Sequence, residues 1–380
     1  MQLLFTLQTV ASAITIAAAA SPQPTPIPPP TGSYYVGERK LAVARTNPNN
    51  FTLPTNLISD FLATIFYPTK TEGRTAPYLE SVTAQEWAQV YNISVDLLTS
   101  LTAKLAIDAP GLSNASQYPT VFFGPGGGGP PTEVYTTLLS DLASHGYNVI
   151  GIDDPHEQQY IRWPNGTGYY GSGAEDETTD ETVYVRLAET TTMIDRLDLV
   201  EKALGTKVNR HLLGTFGHSA GGDAGLASML YDRRILSSVN LDGPFQGGPF
   251  GEDGTTVPDF KRPVFLFGTG VHETTAVDPT WNETFPVNQT GYWREVVVKG
   301  SLHIDMSDIT FWKDTAGVHS ANLGPIDGRR MVNITRTWTR AFFDYTLLHC
   351  REAGKLFNGP SSDWPEVEFK AGSNGSHHHW

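Results

Sequence analysis

The chain of 380 residues contains one cysteine, Cys350, which excludes an intrachain disulfide and any zinc site built on cysteine. Positive charge is also scarce. The 26 Lys and Arg stand against 40 Asp and Glu, a formal net charge of −14. Such a surface repels a phosphate backbone, so nucleic acid is excluded as a partner. Beyond the first twenty residues no segment is long and apolar enough to span a bilayer. What is present is a core-forming composition. Hydrophobic residues make up 39% and aromatics 11%, too much for a disordered chain. The length allows roughly two or three domains at about 150 residues each, or one large α/β domain with insertions.

The two ends differ from the middle. Residues 1–20 carry no charge and close on an alanine run, and six prolines follow between Ser21 and Pro30. This pattern is expected of a secretory signal peptide (1–20) followed by a Pro-rich linker (21–33), although the first basic residue is Arg39. A membrane anchor is the alternative reading. Eight N-x-Ser/Thr sequons, at Asn50, Asn92, Asn114, Asn165, Asn282, Asn288, Asn333 and Asn374, also point to export, and the expected location is extracellular. Residues 353–380, ending in SNGSHHHW, read as a solvated C-terminal tail.

Between the ends, apolar runs alternate with helical spacing. Strands are expected at 62–67, 120–123, 147–152, 211–216, 235–241, 263–267 and 293–298. Helices are expected at 81–106, 132–145 (stopped by Gly146), 183–204, 221–231 and 331–349. The last has Trp338, Phe342, Phe343, Leu347 and Leu348, which read as a core face rather than a membrane anchor. Residues 157–181 interrupt the rhythm with Gly, Tyr and the acidic group Glu175, Asp176, Glu177, Asp180 and Glu181, a long loop or lid. The alternation implies a mostly parallel central sheet with helices on both faces, as one domain over 34–352 carrying a long insertion.

Gly217-His218-Ser219-Ala220-Gly221 falls between an expected strand and an expected helix. This is the context of a nucleophile elbow: the serine backbone turns sharply, side chains two positions away would collide, and the Ala220 N–H points at developing negative charge. A serine hydroxyl needs a base. His303, on a small turn after the strand 293–298, is the first choice, with His272 and His319 behind it. His145, His156, His211 and His349 read as structural. For the acid that orients the imidazole, Asp242, Glu273 and Asp278 all satisfy the order serine, acid, histidine. The run Gly124-Pro125-Gly126-Gly127-Gly128-Gly129 after an early strand lets backbone N–H groups approach an oxyanion. It lacks a following Gly-Lys-Ser/Thr and the dinucleotide fingerprint, so it is not read as a phosphate cradle. Phe123, Tyr169, Tyr170, Phe245 and Phe250 are the expected walls of an acyl pocket.

These residues resemble the secreted, plasma-type platelet-activating-factor acetylhydrolase family of α/β-hydrolases. The likeness is carried by Gly32-Ser33-Tyr34-Tyr35-Val36-Gly37; by Pro119–Gly127 with Leu142-Ala143-Ser144-His145-Gly146-Tyr147; by Gly217–Gly222; and by Lys299-Gly300-Ser301-Leu302-His303 with Asp308, Thr310 and Phe311. It covers roughly residues 32–350. The resemblance implies the α/β-hydrolase fold and a Ser219–His303–Asp242 triad, because the family's acid follows the strand after the elbow helix. It implies oxyanion donors at the N–H groups of Ala220 and Gly126, although a glycine run replaces the family's usual His-Gly-x-Gly. The implied activity is hydrolysis of short or oxidised acyl esters of phospholipids, without metal or cofactor and with no protein partner. Alternatives are a cutinase-like, polyester-degrading or general esterase, a peptidase, and a non-catalytic binding protein on a hydrolase scaffold. Association with a lipid interface stays open.

Overall fold

The computed structural model describes residues 23–173, 179–251, 254–272 and 279–375. The expected leader, Glu175 to Glu177, Glu273, Asp278 and the terminal histidines lie outside the described residues.

Nine strands carry the architecture: β1 (Tyr35–Ala44), β2 (Asp60–Thr69), β3 (Thr120–Gly124), β4 (Asn148–Asp153), β5 (Leu213–His218), β6 (Ile235–Leu241), β7 (Val264–Gly268), β8 (Trp293–Val298) and β9 (Val367–Ser373). Their spatial order is β1-β2-β4-β3-β5-β6-β7-β8-β9. From β4 to β8 every neighbour is parallel, whereas β1, β2 and β9 are antiparallel additions at the two sides. Parallel central strands are covered on both faces, which is why β3 to β7 read as near-continuous apolar runs. The side chains of β3 divide accordingly. Phe122 joins the core under the helices α2 (Thr179–Asp195), α3 (Leu197–Leu204) and α4 (Ala220–Tyr231), and Val121 and Phe123 join the opposite core. That second core is closed by α5 (Gly328–Thr346) through Ile334, Trp338 and Phe342. The aromatic face of this last helix is therefore core, as its spacing implies.

Four expectations need correction. The segment 81–106 is not one helix. Helix Ser81–Val90 ends at Tyr91, with Asn92 at φ 50°, a short helix spans Val95–Thr99, and Leu101–Ile107 is a strand. That strand pairs with β1, with Arg74–Pro77 and with Thr25–Pro26, and these backbone bonds override the local helical spacing. The 183–204 helix is already helical at Thr179 and breaks at Arg196, whose φ −106° and ψ 26° are non-helical. The Pro-rich stretch is not a free linker from residue 23 onward, since Ile27 is buried and the Thr31 and Gly32 N–H groups donate to Asp141 and Ser144.

The C-terminal segment is not a solvated tail over 353–375. β9 pairs with the outer edge of β8, where unpaired N–H and C=O groups would otherwise face water. Phe357, 1% exposed, lies 5.2 Å from the ring of Phe265 and 5.5 Å from that of Trp338. Truncating this ring empties a core site, so Phe357→Ala is expected to cost about 3–5 kcal/mol of unfolding free energy, measured by denaturant titration. A tail residue would cost nothing.

Candidate active site

Ser219 stands between β5 and α4 with φ 55° and ψ −126°, a conformation that a side-chain-bearing residue adopts only when its surroundings enforce it. The Ser219 N–H donates to Leu241 O at 2.9 Å, and the N–H groups of Gly222 and Asp223 donate to Ser219 O at 2.9 and 3.1 Å. The flanking glycines are sterically required. A Cβ on Gly217 would lie 2.3 Å from the carbonyl carbon of Gly221, and one on Gly221 would lie 2.0 Å from Gly124 O. The turn therefore presses against the end of β3, which brings the elbow and the glycine loop together.

Asp242 leaves the end of β6 at φ 59°, and its side chain has no exposed surface. Its Oδ2 accepts from His303 Nδ1 at 2.7 Å and from Thr269 Oγ1 at 2.8 Å, and its Oδ1 accepts from the Thr269 N–H at 2.5 Å. Burial alone would push this carboxyl up. The His303 hydrogen bond, the neighbouring imidazoles and the Thr269 N–H outweigh burial and hold it below the usual aspartate range. A carboxylate accepts, so His303 Nδ1 carries the proton and Nε2 presents its lone pair. His303 opens the one-turn helix His303–Met306 after β8. That turn is fastened by Asp305, which accepts from the N–H groups of Leu302 and Gly324 and from Lys313.

Ser219, Asp242 and His303 line one cavity of ≈ 550 Å³. Pro244, Phe245, Val271 and Pro279 form its apolar wall, while Gln246, Thr280 and Asn322 supply polar groups. Among the described residues no Ser219–His303 hydrogen bond is formed, a contact that often tightens only when substrate is present. Of the five expected wall aromatics, Phe245 is the one in this cavity. Phe123 and Phe250 belong to the two cores, and Tyr169 and Tyr170 to the insertion. Among the described residues no group of three or more His, Cys, Asp or Glu is placed to hold a metal ion.

His218, inside the elbow motif, has a part that the spacing does not reveal. Its Nε2 lies 2.9 Å from His303 O, its Nδ1 lies 2.9 Å from Tyr135 Oη, and Tyr135 Oη accepts from the Gly126 N–H at 3.2 Å. A carbonyl only accepts, so Nε2 carries the hydrogen, Nδ1 accepts, and Tyr135 must donate to it. One proton arrangement satisfies the whole chain. It ties the glycine loop to the backbone of the base-bearing turn. The same loop is held from its other side by Arg186 on α2, which donates to Pro125 O at 2.7 Å and pairs with Glu157 of the insertion.

This network corrects one expectation. The Gly126 N–H is directed at Tyr135 and is not free for an oxyanion. Gly127 is the neighbour that approaches the elbow: a Cβ there would stand 3.3 Å from Ala220 Cβ. His272, ranked behind His303 as a base, has a place beside the acid instead. It is buried, stacks on Trp281 with centroids 3.8 Å apart, and brings Nε2 to 3.4 Å from Asp242 Oδ1. Its position just past β7, at the carboxyl edge of the sheet, was the available signal. His319 is exposed and does not line the cavity.

No family profile matches the chain. A solved ferulic acid esterase from Streptomyces cinnamoneus superposes with a TM-score of 0.76 at 24% identity, covering 92% of this chain and 100% of that one. The fold is the α/β-hydrolase fold. A curated protein of Arthroderma benhamiae, named "Probable 1-alkyl-2-acetylglycerophosphocholine esterase", is 27% identical over 264 residues. The match covers 66% of this chain and 66% of the relative, just under two thirds of its length. The family resemblance carried by the four motifs agrees with that name, and both similar proteins are named as esterases.

Burial pushes the His218 imidazole from 6.5 down to about 3, and the neighbouring His303 adds to the effect. Between these values the unfolded chain takes up a proton that the folded chain refuses, so this residue's contribution to stability is present above pH 6.5 and is lost as pH falls toward 3. Unfolding free energy measured across that interval is expected to decline more steeply for the wild type than for His218→Gln. Parallel pH curves would show that the histidine is not neutral and buried.

Proposed function

We propose that the protein is a secreted serine ester hydrolase that removes short or oxidised acyl chains from phospholipid-type esters through an acyl-enzyme. The observation that carries this reading is the buried Asp242–His303 hydrogen bond opening onto the same cavity as the strained Ser219 turn. Ser219 Oγ attacks the acyl carbonyl, and His303 Nε2 takes its proton and later passes it to the leaving alcohol. Asp242 keeps the hydrogen on Nδ1 and stabilises the imidazolium.

The tetrahedral oxyanion is received by the N–H of Ala220, at the start of α4 where backbone donors lack intrahelical acceptors, and by that of Gly127. Each donor contributes roughly 3 kcal/mol to the transition state. Water activated by the same imidazole then releases the acid. An acyl chain suits the apolar wall of Pro244, Phe245 and Val271. No Lys or Arg is among the described lining residues, so a phosphate has no cation to meet within the cavity. The headgroup therefore stays at the mouth, and the acyl end enters.

Ser219→Ala is expected to reduce kcat by about 10⁴-fold or more and to abolish covalent labelling by a fluorophosphonate. Asp242→Asn should lower kcat by about 10⁴-fold, with little change in KM, because the imidazole then carries its hydrogen on the wrong nitrogen. A substrate panel separates the acyl preference. Acetyl and short-chain phosphatidylcholines should give a higher kcat/KM than long-chain phosphatidylcholine, triglyceride or cutin-like polymer. A reversed ranking would remove the phospholipid reading and leave the esterase.

A further inference from the structure

Within the insertion, Ile161–Arg162 and Gly168–Tyr169 pair as an antiparallel hairpin. Its tip is Trp163-Pro164-Asn165-Gly166-Thr167. The Gly166 N–H donates to Trp163 O at 2.9 Å, the Trp163 N–H donates to Thr167 O at 2.8 Å, and Gly166 sits at φ 86°. This is a tight turn closed by a left-handed glycine bulge. Trp163, Pro164, Asn165 and Thr167 line a single groove of ≈ 470 Å³, completed by Leu41 of β1, by Ile58 and by Asp60 at the start of β2.

Asn165 is exposed and belongs to a sequon. Its Oδ1 accepts from Thr167 N at 2.9 Å and Thr167 Oγ1 at 2.7 Å, so the turn engages the amide through its oxygen and not through Nδ2. The other sequons differ from this one in sequence. None has an aromatic residue two positions before the asparagine. Asn114 donates its Nδ2 to Gln117, and Asn333 is half-buried on α5.

We propose that Asn165 is an N-glycosylation site whose first N-acetylglucosamine lies on the Trp163 indole in this groove. The donor is a lipid-linked pyrophosphate oligosaccharide. Asn165 Nδ2 forms a bond to C1 of the sugar, the bond from C1 to the pyrophosphate oxygen breaks, and one amide proton is released. The apolar face of the sugar covers the ring, while Ser59 and Asp60, which also line the groove, offer polar groups to its hydroxyls. Because β1, the start of β2 and the hairpin tip share the groove, the seated sugar fastens the insertion to the side of the sheet. The insertion also supplies Glu157, which holds Arg186 against the glycine loop. This inference stands apart from the ester-hydrolase reading.

The full chain secreted from a glycosylating eukaryotic host tests it by glycopeptide mass spectrometry, combined with unfolding midpoints of the wild type, Asn165→Gln, Trp163→Ala and the double variant. Asn165 is expected to be occupied in most molecules. Asn165→Gln is expected to lower the midpoint by about 2 °C. In the Trp163→Ala background that loss should disappear, while kcat on a simple ester stays unchanged throughout. An unoccupied Asn165, or an equal midpoint loss with and without the indole, would overturn the proposal.

Discussion

A carboxylate with no exposed surface is tolerated only where donors replace the water it has lost. Asp242 meets that condition with three elements at once: the end of β6 that carries it, the residue after β7 that gives Thr269, and the turn after β8 that gives His303. None of these contacts survives if neighbouring parallel strands slip in register. The buried charge therefore makes the carboxyl edge of the sheet a defined surface. His272 strengthens this from the remaining side, since its ring is clamped on Trp281 and faces the oxygen that His303 does not use. On the proposed chemistry, the acid is fixed before substrate arrives, and the base inherits its tautomer and orientation from it.

The second constraint is steric and lies one strand away. Gly217, Gly221 and Gly124 pack backbone to backbone, so the elbow and the glycine loop cannot move apart independently. A loop with so many glycines would be entropically costly to hold in one shape. Here its carbonyls are held by Arg186 and one of its N–H groups by Tyr135, and the Tyr135–His218 chain continues to the His303 backbone. The motif's second position is thus occupied by a residue whose side chain joins the two loops between which an acyl carbonyl would sit. Burial keeps His218 neutral, which leaves Nδ1 able to accept from Tyr135, while the His303 carbonyl holds the hydrogen on Nε2.

The parallel strands were legible because burial on both faces leaves continuous apolar runs. The limits of β6 and β8 fall at Ile235–Leu241 and Trp293–Val298, as those runs imply. The edge strands were not. Leu101–Ile107 mixes small, polar and apolar residues, and only its partners make it a strand. β9 is similar: Val367 and Phe369 alternate with the charged Glu368 and Lys370, and nothing local states that the open edge of β8 awaits them. Ser219 and its glycines were visible as a motif because the elbow is a local steric problem. The partners of Asp242 were visible only as a choice among several acids and histidines, since their meeting is a long-range event.

The misplaced oxyanion donor follows from the same distinction. In a run of four glycines every N–H is equally accessible, and the sequence contains no term that ranks them. The ranking comes from Tyr135, nine positions later on the turn that enters the next helix, whose hydroxyl must find both a donor and an acceptor in a dry interior. Once Gly126 satisfies it, Gly127 is the next residue of the loop and the one that approaches Ala220. On the proposed reaction, a buried tyrosine with no chemical step of its own thereby decides which backbone group is left for the oxyanion. Residues of this kind are recognised from hydrogen-bond closure rather than from any motif.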